Sequence, residues 1–146
     1  MLHILLHMAH AGQPLTSEAL AGMLQTNPVL VRRTLAGLRE RGLVSAEKGH
    51  GGGWLIARPL EGITLFDVYE GLGEPELFAI GHRNEQSRCL VERAVNGALD
   101  HTLAEAEALI LARLREITLA ALSEDFNRHH PGAHPERSHA HDHPEP

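Results

Sequence analysis

Cysteine occurs once, at Cys89, and aromatic side chains make up only 3% of the 146 residues. One thiol excludes an intrachain disulfide framework and fits a reducing, cytoplasmic setting. So few rings leave the core to Leu, Ala, Val and Ile, as in a helical protein. No apolar run approaches the ~20 residues that cross a bilayer. Met1 to Ala9 carries neither the basic segment nor the cleavage pattern of a signal peptide, so neither membrane association nor export is expected. Net basic charge is also lacking. A formal charge of −6, taken alone, argues against a polyanionic partner.

The distribution of charge reverses that inference. Residues 1–60 hold six Lys/Arg (Arg32, Arg33, Arg39, Arg41, Lys48, Arg58) against three acids (Glu18, Glu40, Glu47), a local charge of +3. The remainder is strongly acidic, so only the N-terminal part is suited to approach a polyanion.

Leu2 to Ala11 reads as a helix stopped by Gly12. Thr16 or Ser17 can cap a second helix whose Leu20, Ala21 and Leu24 face inward, with Glu18 near its positive end. Asn27-Pro28 starts a third, Asn27 as cap and Pro28 at the first helical position. Within it Val31, Leu35 and Leu38 recur at helical spacing toward a core, while Val29, Arg32, Arg33 and Ala36 fall on the opposite side. Gly42 closes this helix. Leu43–Glu47 and Trp54–Arg58 then read as two strands joined by the tip Lys48-Gly49-His50-Gly51-Gly52-Gly53. An antiparallel helix pair alone explains neither the outward arginines nor the glycine hairpin. Together they are a helix-turn-helix with a wing, a device for placing one helix in a DNA major groove.

Chemistry accounts for the residue types. Guanidinium groups grip guanine edges or phosphates, and Thr16, Ser17, Asn27 and the free N–H groups of the helix starts suit phosphate oxygens. Glycines such as Gly51 and Gly52 let a wing backbone approach a sugar-phosphate surface, with Lys48 and His50 beside it. Expected DNA contacts are therefore Thr16, Ser17, Asn27, Pro28, Val29, Arg32, Arg33, Lys48, His50, Gly51 and Gly52. Arg39 and Arg41 equally suit solvation of the helix end.

Thr64-Leu-Phe-Asp67 has the form of a capping box and opens a short helix ended by Gly73-Glu74-Pro75. From Ser87 to Leu122 the chain reads as mostly helical, with Thr118 able to cap a short terminal helix. Val91, Val95, Ala98, Thr102, Ala106 and Leu109 form a stripe widened by Leu99, Leu103, Ile110 and Leu114. This stripe is longer than a small winged domain can cover, and a second copy of the same helix is its simplest partner.

The run Leu30-Val31-Arg32-Arg33 to Leu38, then Arg41-Gly42-Leu43-Val44, Lys48 to Leu55, and Ile63-Thr64-Leu65-Phe66-Asp67-Val68-Tyr69, resembles the Rrf2 family of bacterial transcriptional regulators from about Leu2 to Leu122. The resemblance implies a homodimer bound to double-stranded DNA at a palindromic promoter site, usually as a repressor. It also implies that several residues commonly precede the first helix, which would place the true start upstream. Many members hold an iron–sulfur cluster on three cysteines between the wing and the dimerisation helix. Only Cys89 lies there, so a cluster-free branch without cofactor is expected.

The expected architecture is mainly α with a small β-hairpin. A winged helix-turn-helix domain occupies 1–72, linker and dimerisation helices 73–126, and a disordered His-rich tail 127–146. No catalytic arrangement is found among Asp67, Glu70, Glu74 and Glu76. Cys89, near Arg83, Arg88 and Arg93 and a helix start, suits a redox thiol or a small apolar interface residue. His139, His141 and His143 can chelate zinc, nickel or copper, but a flexible tail gives poor geometry, and solvation is the simpler role. His3, His7 and His10 share one helix face, which suits either a metal or an exposed polar surface. Two other functions stay open: a module docking a partner enzyme, and a metal-responsive regulator working through the tail. The inducing small molecule or redox signal is not legible.

Overall fold

The computed structural model describes residues 1–49, 51–78 and 89–129. His50, His139, His141, His143, Arg83 and Arg88 lie outside the described residues. In chain order the elements are α1 (Leu2–Ala11), α2 (Ser17–Leu24), α3 (Pro28–Glu40), β1 (Val44–Glu47), β2 (Gly53–Ile56), a 3-10 turn (Leu60–Gly62), α4 (Leu65–Gly71), α5 (Leu90–Glu116) and α6 (Leu119–His129). The architecture is mainly helical with one two-stranded antiparallel hairpin, in which Val44 pairs with Ile56 and Glu47 with Gly53.

Local chemistry fixes the helix starts. The Thr16 hydroxyl accepts from the Ala19 N–H at 3.1 Å, and Asn27 Oδ1 accepts from the Val29 N–H at 2.7 Å with Pro28 behind it. At α4, Thr64 and Asp67 cap each other reciprocally. Each such cap satisfies backbone donors that the helix itself leaves unpaired.

One apolar cluster holds the winged domain together. Ile4, Leu5 and Met8 of α1 meet Leu20 and Ala21 of α2, Val31, Leu35 and Leu38 of α3, Leu43 and Val44, Trp54, Ile63 and Val68, all buried. Removing each large aliphatic side chain from water contributes roughly 1.5–3 kcal/mol. Leu119 of α6 belongs to the same cluster and is fully buried.

That last residue ties the C-terminal helix to the winged core. The segment 63–65 and the segment 117–119 are stitched by Leu65 N–H to Ile117 O (2.9 Å) and Leu119 N–H to Ile63 O (2.8 Å). The junction between α5 and α6 therefore lies against the winged domain. Thr118 caps α6 as expected, its hydroxyl accepting from the Ala121 N–H at 3.2 Å. The helix runs through Asn127 to His129, so these residues belong to α6 rather than to a disordered tail.

Candidate nucleic-acid interface

Helix α3 divides into two faces. Val31, Leu35 and Leu38 are buried, whereas Val29 (65% exposed), Leu30 (54%), Arg32 and Arg33 face outward. The outward face joins two cations to two apolar side chains in its first turns. Guanidinium groups can take guanine O6/N7 or phosphate, and apolar side chains can meet thymine methyls. The expected list included Val29 but missed Leu30, which lies on the border of the two faces and whose exposure depends on how α2 and α4 flank the helix.

The arginines have distinct surroundings. Arg32 lies 3.6 Å from Glu18 of α2, and its Nε donates to the Pro28 carbonyl at 3.4 Å. Both side chains of this ion pair are more than half exposed, so solvent weakens it. Arg33 lines an open groove of about 510 Å³ between α3 and the end of α4, together with Leu30, Thr34, Arg41 and Glu70. Arg41 pairs with Glu70 at 3.0 Å, which ties the end of α3 to α4 and accounts for this side chain without DNA.

Ser17, expected among the contacts, is buried. Its Oγ accepts the indole N–H of Trp54 at 3.0 Å. The hydroxyl thus anchors the wing to the start of α2 instead of facing solvent, while neighbouring Thr16 is exposed. Asn27 is exposed as well, with its side-chain oxygen engaged in capping.

The wing's glycines have internal causes. Leu15 and Trp54 exchange backbone hydrogen bonds of 3.1 and 2.8 Å, and a Cβ on Gly53 would lie 2.6 Å from the Leu15 carbonyl oxygen. A Cβ on Gly52 would collide with the Glu47 carbonyl. Close backbone packing inside the domain therefore requires glycine at Gly52 and Gly53. Gly51 and Lys48 are exposed at the tip.

With this geometry in place, the family can be assigned. The sequence model of Rrf2, described as an iron-dependent transcriptional regulator, matches residues 1–125. The chain belongs to the Rrf2 family. It is 31% identical over 127 residues to YwnA of Bacillus subtilis (strain 168), named as an HTH-type transcriptional regulator, covering 86% of this chain and 91% of YwnA. A transcriptional regulator structure from Lactobacillus plantarum superposes with a TM-score of 0.72 at 25% identity, covering 88% of this chain and 87% of that one. IscR of T. potens shares the fold, with a TM-score of 0.60 at 21% identity over 88% and 80% of the two chains. Rrf2 regulators are a non-enzymatic class, and this member carries their DNA-binding fold.

The Rrf2 description names iron, and the donor set here does not match a cysteine-held cluster. The chain has one cysteine, exposed at the N-cap position of α5. Among the described residues no three His, Cys, Asp or Glu side chains group as metal ligands. Thiolates are what hold such clusters, and this chain supplies one. Among the described residues no helix is long and apolar enough to cross a membrane.

Along α5 the expected interface stripe splits. Val91, Val95, Ala98, Leu99, Thr102, Leu109 and Ile110 are exposed, whereas Leu103, Ala106 and Leu114 are half-buried. Helix α5 packs against α4, and near its end the Arg115 guanidinium lies 3.6 Å from the centre of the Phe66 ring, a cation–π contact.

Proposed function

We propose that this Rrf2 protein is a homodimeric, sequence-specific DNA-binding repressor of the cytoplasm that works without an iron–sulfur cluster. The observation that carries the reading is the outward face of α3. Arg32 and Arg33 stand exposed opposite the buried Val31–Leu35–Leu38 stripe, at the positive end of a helix capped by Asn27. Each subunit lays α3 in a major groove, and the wing contributes Lys48, His50 and Gly51 as contacts to the adjacent backbone.

Dimerisation is supported by the apolar surface of α5. This 27-residue helix is about 40 Å long at 1.5 Å per residue. Val91 (72% exposed), Val95, Leu99 and Leu109 (73%) leave much of it without cover in one chain. Symmetric packing of two such helices removes that surface from water. Bound at a promoter, the dimer excludes the transcription machinery from the site. Cys89, exposed at the start of the same helix, is a small interface residue in this reading.

Selection of bound sequences from random DNA tests the proposal. A palindrome with half-sites about 34–36 Å apart, or a multiple of that, is expected for a two-fold dimer. Recovery of no sequence preference, or of a single unrepeated half-site, would overturn it.

A further inference from the structure

Helix α1 carries a pair of imidazoles that DNA binding does not use. His3 and His7 lie one turn apart, their ring centroids are 4.4 Å apart at an interplanar angle of 57°, and their Nε2 atoms converge to 2.7 Å. At that distance a single proton sits between two nitrogen lone pairs. His3 is exposed and His7 half-buried, so the pair opens to solvent on one side. Burial, followed by the neighbouring His3 and His10, pushes the His7 imidazole below its ordinary value.

We propose that His3 and His7 form a site for a divalent late transition cation, of the nickel, copper or zinc class. Imidazole nitrogens suit those ions, whereas magnesium and calcium demand oxygen donors. With metal–nitrogen distances of about 2.0–2.1 Å, two nitrogens on one tetrahedral ion sit about 3.3 Å apart. The existing pair needs only a small rotation of the two rings to reach that span. On binding, the ring that holds the shared proton on Nε2 changes tautomer: that proton leaves as Nδ1 takes one from solvent, so both rings stay neutral and both Nε2 lone pairs turn to the ion, with water completing the shell. His10, one turn further on, is not a ligand. Its Nδ1 bonds to the Leu6 carbonyl at 2.7 Å and its Nε2 lies 3.3 Å from Asn127 Oδ1 of α6.

The chain has other histidines, among them His139, His141 and His143, so total metal uptake does not isolate the site. Thermal stability does, because an ion raises the melting temperature only where it binds the folded state better than the unfolded one. Ni(II) added to the full chain at about ten times its dissociation constant is expected to raise Tm by about 4 °C. His3→Ala and His7→Ala should each abolish the shift while leaving Tm without metal close to that of the original chain. A His139→Ala/His141→Ala/His143→Ala variant should retain it. No shift in the original chain, or a shift that survives His7→Ala, would overturn the site.

Discussion

The indole N–H of Trp54, on the second wing strand, donates to the hydroxyl of Ser17, the first residue of α2, across 37 positions of sequence and at 3.0 Å. Both residues are buried. Wing and helix-turn-helix are thereby locked at one point, next to the backbone bridge between Leu15 and Trp54. Ser17→Ala would leave the indole N–H buried without an acceptor, which costs about 1–3 kcal/mol. A lower denaturant midpoint at unchanged slope is expected in equilibrium unfolding. An unchanged midpoint would show that the lock contributes nothing.

Helices α3 and α4 meet through glycine. A Cβ on Gly37 would overlap the carbonyl oxygen of Gly71, and one on Gly71 would meet the Leu38 side chain. Gly37→Ala therefore forces the two helices apart, although alanine is the better helix former. Overpacking of this kind typically costs about 1–3 kcal/mol. Calorimetry should show a lower Tm, and a rise in Tm would contradict the close approach.

Asp67 predicts an acid response. Burial pushes its carboxyl up, but hydrogen bonds from the Thr64 backbone N–H and hydroxyl, both 2.7 Å, and Arg58 at 3.4 Å outweigh this and hold it below the ordinary carboxylate range. A carboxylate lowered in the folded state stabilises fully above its unfolded value, about 3.9. That contribution fades as pH falls through the lower folded value. Asp67→Asn should lower stability by about 1 kcal/mol at neutral pH, the worth of a cap. The gap between the two proteins should narrow below about pH 4. A gap that is constant down to pH 2 would contradict the assignment.

Glu18 places a negative charge beside the guanidinium of Arg32, 3.6 Å away on an exposed surface. DNA competes with this carboxylate for the same cation. Glu18→Gln is expected to tighten binding to any duplex several-fold at low salt, with the gain shrinking as salt is added. Weaker binding, measured by fluorescence anisotropy, would show instead that Glu18 positions Arg32 for contact.

Much of this was legible locally. Caps at Thr16, Asn27-Pro28, Thr64/Asp67 and Thr118 are short-range chemistry, and the Val31–Leu35–Leu38 period reports the buried side of α3 without reference to anything distant. Other features depend on partners remote in sequence. Thr16 and Ser17 are equivalent candidate caps until Trp54 arrives to claim Ser17. The reasons for Gly52 and Gly53 lie in the Glu47 and Leu15 backbones. Leu119 reads as part of a terminal helix, and only the pairing of 63–65 with 117–119 brings it into the winged core. On α5 one continuous apolar stripe serves two sides, and periodicity cannot tell Leu103, half-buried, from Leu99, exposed.

The central claim is that the outward arginines of α3 meet a duplex, and the salt dependence of DNA affinity tests it most directly. Log affinity against log salt should fall steeply for the original chain. Arg32→Ala and Arg33→Ala should each weaken binding by about 1–3 kcal/mol if the lost contact is to a base, or flatten the slope by about one if it is to a phosphate. Affinity and slope both unchanged in the two variants would contradict the account.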